Sequence, residues 1–171
     1  MIDTASRPSD TSPVQLMGWI EPSAPDPDVL DLVAGNWEEA EPVMGRVVQK
    51  IRARNARAIE DVVGAALGVS VGCRRVDDAS RMLALETLAI ARVEPLEENV
   101  RRAIFEALAS SNERLRFTAI AAASDLSRAG KVLVRWAIER RASDEDESPV
   151  VRAAAEAFLR THRAARRAPG R

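Results

Sequence analysis

The stretch Asn112-Glu113-Arg114-Leu115-Arg116-Phe117-Thr118-Ala119-Ile120 decides how this chain is read. A polar residue suited to capping a helix opens it, Arg116 follows in the first turn, and Leu115, Ala119 and Ile120 share one helical face. Two other stretches have the same form. Ala79-Ser80-Arg81-Met82-Leu83-Ala84-Leu85 and Val150-Val151-Arg152-Ala153-Ala154-Ala155-Glu156 each place an arginine near the start and an alanine three residues later. The arginines are 35 and 36 residues apart. A further step of 35 reaches Arg46, where Gln49 stands in place of the alanine. A period of this length holds two helices and two turns. One helical hairpin cannot bury its own apolar face, so successive hairpins stack and share a core.

Working outward, the chain reads as helices separated by turn signals. Asp28 opens a segment with Val29, Leu32 and Val33 inward, closed by Gly35-Asn36. A second helix starts near Trp37 to Pro42 and buries Val43, Val47, Val48 and Ile51 up to a break at Arg54-Asn55. A third runs from Ala56 to about Val69 with Ile59, Val62, Val63, Ala66 and Leu67 inward. Asp77-Asp78 caps a helix that buries Met82, Leu85, Leu88 and Ala89, and Glu94-Pro95 punctuates it. Val100, Ile104, Phe105 and Leu108 form the next stripe, then Leu115, Ala119, Ile120 and Ala123. After a turn at Ser127 to Gly130, Val132, Leu133, Trp136 and Ala137 are expected inward, with Trp136 in the core. Ala142 to Ser148 reads as a polar loop, its acidic run Asp144 to Glu147 a solvated helix cap. Ser148-Pro149 starts the last helix, which is expected to end near Arg163.

The segments from Asn112 and from Ser148 resemble the second helices of HEAT repeats, with a polar or acidic cap, an apolar residue, arginine and an alanine-rich continuation. The resemblance covers residues 76–163 well and 38–75 loosely. It implies an all-α fold of stacked antiparallel hairpins, a short right-handed α-solenoid of the HEAT or ARM type. On that reading residues 1–27 are a proline-rich arm, extended or disordered, 28–163 the repeat domain and 164–171 a basic tail. In such families arginines at the positions of Arg81, Arg116 and Arg152 bridge neighbouring repeats through acidic groups or helix-end carbonyls. The family is usually a protein-binding scaffold.

Composition narrows the function classes. The chain has 171 residues, 46% hydrophobic but only 4% aromatic, with no Tyr, so the core is built from Ala, Val, Leu and Ile. Small, strong helix formers favour close helix-on-helix packing. The lone Cys73 rules out an internal disulfide and any zinc site of several thiolates, and it is expected to be an inert, partly buried thiol. No glycine-rich phosphate loop or HExxH motif occurs, and His162 is distant in sequence from Cys73, so no catalytic, cofactor or metal residues are assigned. Residues 1–10 lack the basic-then-apolar pattern of an export signal, and the longest uncharged, proline-free run, 62–73, is too short to span a bilayer. A cytoplasmic chain without a membrane partner is expected. Gly64, Gly68 and Gly72, spaced four apart, suggest close packing of two helices.

Charge is balanced overall, at −1, but residues 1–45 carry nine acids and one base. The expected function is therefore a non-enzymatic protein-binding module, a scaffold or a regulatory or immunity-type binder. Its surface would be the exposed face of the second helices, with candidate contacts Trp19, Trp37, Glu86, Arg101, Arg102 and Glu106. Trp favours this role because it is enriched in binding hot spots. The alternative is a nucleic-acid-binding helical repeat, which would use Arg160, Arg163, Arg166 and Arg167 of the tail on phosphates. That tail has no interleaved aromatic residue for base stacking.

Overall fold

The computed structural model describes residues 24–34, 40–92 and 97–167, the last five by their backbone alone. Among these residues the chain is all-helical. α1 spans Pro27–Ala34, α2 Ala40–Arg52, α3 Ala56–Ala66, α4 Asp78–Ala91, α5 Glu97–Leu108, α6 Glu113–Ala123, α7 Arg128–Ser143 and α8 Pro149–Arg167. No strand occurs among them, only an isolated bridge between Val71 and Arg74.

Local chemistry sets most of the starts. Asn55, Asp77, Asn112 and Ser127 each accept a backbone N–H of the helix they open, satisfying donors that lack an intrahelical partner. Asp26 does the same for α1, accepting from Asp28 and Val29, so Pro27 sits at the first helical position and not in an extended arm. At the other end of the chain α8 continues to Arg167, four residues past the expected stop.

Each of the pairs α3–α4, α5–α6 and α7–α8 packs on itself, and α2, α4, α6 and α8 pack in succession, as do α1, α3, α5 and α7. The core is the continuous set of Val, Leu, Ile and Ala side chains between the two rows. α4 touches five other helices and is buried on nearly every side, Ser80 and Thr87 included. Both hydroxyls are satisfied by carbonyls, Ser80 by Val33 and Thr87 by Leu83.

Five more expectations change. α3 ends at Ala66, so Gly64, Gly68 and Gly72 do not form one helical face. Gly68 and Gly72 lie in the following turn with φ of +79° and +57°, and a Cβ at Gly72 would meet Pro25 Cγ at 2.8 Å. Cys73 is exposed, because it sits at the tip of that same turn. Ser127 to Gly130 is the opening of α7, not a separate turn. On α7 the inward stripe is Gly130, Val134, Ala137 and Ile138, and Trp136 is 62% exposed. The smaller residues face inward, where they let α7 approach α5 and α8 closely. Glu147 is also not a solvated cap but buried, for the reason given next.

Candidate docking surfaces

The recurring arginines find different partners. Arg116 Nε and Nη2 donate to both Glu147 carboxylate oxygens, at 2.9 and 2.6 Å for the shortest contacts, and Nη1 donates to the carbonyls of Ser110 and Ser111. Glu147 also accepts from Arg141 and from the Ser148 N–H. One guanidinium thus ties the α5–α6 turn to the α7–α8 turn. Burial pushes the Glu147 carboxyl up, but the Arg116 bonds, the Ser148 N–H and the charges of Arg116 and Arg141 together outweigh it and hold the group below the usual glutamate range. Arg81 reaches only Asp78 in its own helix, at 3.4 Å, and its Nε is buried with no acceptor. Arg152 meets only the Glu145 carbonyl, at 3.5 Å, and Arg46 pairs backwards with Asp28 on α1.

A second feature is the outer surface of α5 and α7. Trp136 stacks on Phe105 with ring centroids 5.7 Å apart. Val132 and Leu133 lie one turn away on α7, 44% and 49% exposed. A cleft of about 210 Å³ opens between Phe105, Leu108, Trp136 and Arg140. Arg101, Arg102 and Arg140 belong to the same two helices, and none of them has an ion-pair partner among the described residues. Arg135 is neutralised by Glu139 at 2.7 Å.

A third is an apolar groove of about 560 Å³ between α6, the start of α7 and α8, walled by Phe117 and Phe158. A fourth is a polar cleft of about 580 Å³ beside the α3–α4 turn that holds Asp77, Asp78 and Glu106. Two of those three carboxylates are committed to structure, Asp77 to the Ser80 N–H and Asp78 to Asn112 and Arg81. No cluster of three or more His, Cys, Asp or Glu suited to a metal occurs among the described residues, and no described helix is long and apolar enough to cross a membrane.

The sequence candidates are distributed unevenly over these features. Trp19 and Trp37 lie outside the described residues. Arg102 and Glu106 are exposed on α5 beside Phe105, and Arg101 is half-buried there. Glu86 is half-buried on α4 without a hydrogen bond, and burial pushes its carboxyl above the usual range. Arg160 is exposed and pairs with Glu156 at 3.5 Å. The side chains of Arg163, Arg166 and Arg167 lie outside the description. His162 is buried against Phe158, and Cys73 is on a different element, the α3–α4 turn. Val132, Leu133 and Trp136 were missed as surface residues. The available signal was that α7 carries two apolar stripes where a helix packed on one side needs only one. No protein-family model, curated protein or solved structure matches this chain.

Proposed function

We propose that the chain is a non-enzymatic, cytoplasmic protein-binding module, a short right-handed α-solenoid of HEAT-like hairpins that docks a partner on the outer face of α5 and α7. The solenoid reading rests on the period of 35 and 36 residues together with the pairing of consecutive helices and the two rows in which they pack. The docking reading rests on one observation: in a chain with three Trp and three Phe, an exposed Trp136 stacks on Phe105 beside exposed Val132 and Leu133. Leaving these side chains in water forfeits the burial free energy that a partner would recover. Arg101, Arg102 and Arg140, which have no ion-pair partner among the described residues, favour a partner with an acidic rim.

The test is affinity capture from the native cell with the full chain and with Trp136→Glu, a surface change that leaves the core untouched. A protein retained by the first and lost by the second supports the docking face. The same proteins on both baits, or none on either, sinks it.

The nucleic-acid reading keeps Arg101, Arg102 and Arg140 as cations without an ion-pair partner among the described residues. It gains nothing from Arg116 and Arg81, whose side chains are only 13% and 17% exposed. A mobility shift with generic DNA at low salt, weakened by Arg102→Glu with Arg140→Glu, would favour it over the protein-binding reading.

A further inference from the structure

The groove between α6 and α8 has a different character from the α5–α7 face. Its floor is small and apolar, with Ala121 on α6 and Ala154 and Ala157 on α8, and Phe117 and Phe158 stand on either side. At about 560 Å³ it falls within the range of sites that enclose small ligands, roughly 300–1,000 Å³. The two hydroxyls in its lining are turned to their own helices, Ser124 Oγ donating to the Ile120 carbonyl and Thr161 Oγ1 to that of Ala157. They offer a ligand little to bind.

The charge in the lining is all of one sign. Arg128 and Lys131 stand together on the first turn of α7, and none of the described lining residues is a carboxylate. Neither cation has an ion-pair partner among the described residues. Further along α7, by contrast, Arg135 pairs with Glu139 and Arg141 with Glu147. The same turn is the N-terminus of a 16-residue helix, whose free N–H groups add to the positive potential. An apolar groove with two cations in its lining is complementary to a ligand with an apolar body and an anionic group.

We propose that this groove is a binding site for a single acyl chain ending in an anion, with the chain between Phe117 and Phe158 and the head group at Arg128 and Lys131. The site is separate from the α5–α7 face and does not depend on it. Alanines at 121, 154 and 157 keep the floor open, so a larger side chain at any of them fills the trough. Both cations project from one helical turn, three residues apart, and so address one head group together.

Calorimetric titration of the full chain with sodium dodecanoate below its micelle concentration tests this, followed by amide-resolved NMR. The expected result is saturable 1:1 binding that perturbs residues of α6 and α8 around Phe117, Ala121 and Ala157, and leaves Trp136 unmoved. Decanoate should bind about fifteenfold more weakly, at roughly fourfold per buried methylene. Arg128→Glu with Lys131→Glu should weaken dodecanoate at least tenfold and admit dodecyltrimethylammonium, which the native chain rejects. Both positions are on the surface, so the fold survives the change. Ala157→Trp should abolish binding of either chain, and Ala121→Phe provides the same test where the first variant does not fold. Dodecyl phosphate run in parallel separates a carboxylate source from a phosphate source by relative affinity. No binding, equal binding of the anionic and cationic chains, indifference to the charge reversal, or perturbation centred on Trp136 would each overturn the proposal.

Discussion

The start of α4 and the start of α6 carry the same residue 35 positions apart, in the fourth position of each helix, and the two arginines do different things. Arg116 is held by a buried carboxylate and two carbonyls, and it joins two turns that are more than thirty residues apart in sequence. Arg81 lies over Gly68, reaches Asp78 weakly, and leaves its Nε without an acceptor. The difference comes from the next unit. The α7–α8 turn supplies Glu147 to Arg116, whereas no carboxylate from the α5–α6 turn reaches Arg81. That turn contributes Asn112 instead, whose amide donates to Asp78 at 2.9 Å while its carbonyl oxygen caps α6. The energetic weight of a recurring residue therefore depends on what the following turn presents to it.

The largest effect should come from breaking the Arg116 node. Arg116→Ala leaves the Glu147 side chain, 1% exposed, with Arg141 as its only cationic partner among the described residues. Stranding a buried carboxylate in this way costs about 3 kcal/mol, or a fall of roughly 10 °C in Tm. A double-mutant cycle with Glu147→Gln should return a coupling of about 2 kcal/mol or more. The same carboxyl sets an acid limit. Its folded pKa lies below the unfolded value, so its contribution is full above the unfolded pKa and is lost as the pH falls through the folded one. Urea unfolding from pH 7 down to pH 3 should show the native chain losing more stability than Glu147→Gln. Parallel curves would mean that the node contributes nothing pH-dependent.

Next in size is the bridge that stands in for a salt link between α4 and α6. Asn112→Ala removes an N-cap and the bond to Asp78, and should cost about 1–2 kcal/mol in thermal or urea unfolding. Asn112→Asp keeps the cap but sets a carboxylate against Asp78, so it should recover less than the cap alone is worth. Full recovery would show that the contact with Asp78 is incidental.

Arg81→Ala should cost below about 1 kcal/mol, since the ion pair is weak, lies within one helix and half faces water. Losing the unsatisfied Nε offsets part of the lost packing on Gly68. If Arg81→Ala proved as damaging as Arg116→Ala, the contrast between the two turns would fail, and the arginines would be equivalent after all.

What could be read from the sequence follows the same division between local and distant causes. The caps at Asp77 and Asn112 and the inward faces of α2, α4 and α6 depend on residues within two turns of each other, and local sequence identified them, whereas Asn55 was read only as a break and proved to cap α3. The face of α7 did not yield to that reading. Val132, Leu133 and Trp136 have helical spacing, and so do Gly130, Val134, Ala137 and Ile138. Choosing between them requires the positions of α5 and α8. Glu147 was read as one of four solvated acids because its partner lies 31 residues upstream and nothing in Asp144 to Ser148 announces it. The α6–α8 groove was equally illegible, since it is assembled from three helices whose own stripes look like ordinary core.

The smallest effect concerns Glu86, five residues after Arg81, and it separates the two regions from the opposite side. The positions five residues after Arg116 and Arg152 are Ala121 and Ala157, which line the apolar groove, so α4 places a half-buried carboxyl where α6 and α8 place a methyl group. Nothing bonds to it, and burial raises its pKa above the ordinary glutamate value. For an acid raised in the fold, the folded state binds more protons than the unfolded one between the two pKa values, so the penalty is absent below the unfolded pKa and complete above the folded pKa. Glu86→Gln should therefore raise Tm slightly at pH 7 and leave it unchanged near pH 4. Glu86→Ala should do the same while extending the alanine floor onto α4. A loss of stability at pH 7 from both substitutions would mean that Glu86 has a favourable partner, and the contrast between a charged α4 face and an apolar α6–α8 face would have to be withdrawn.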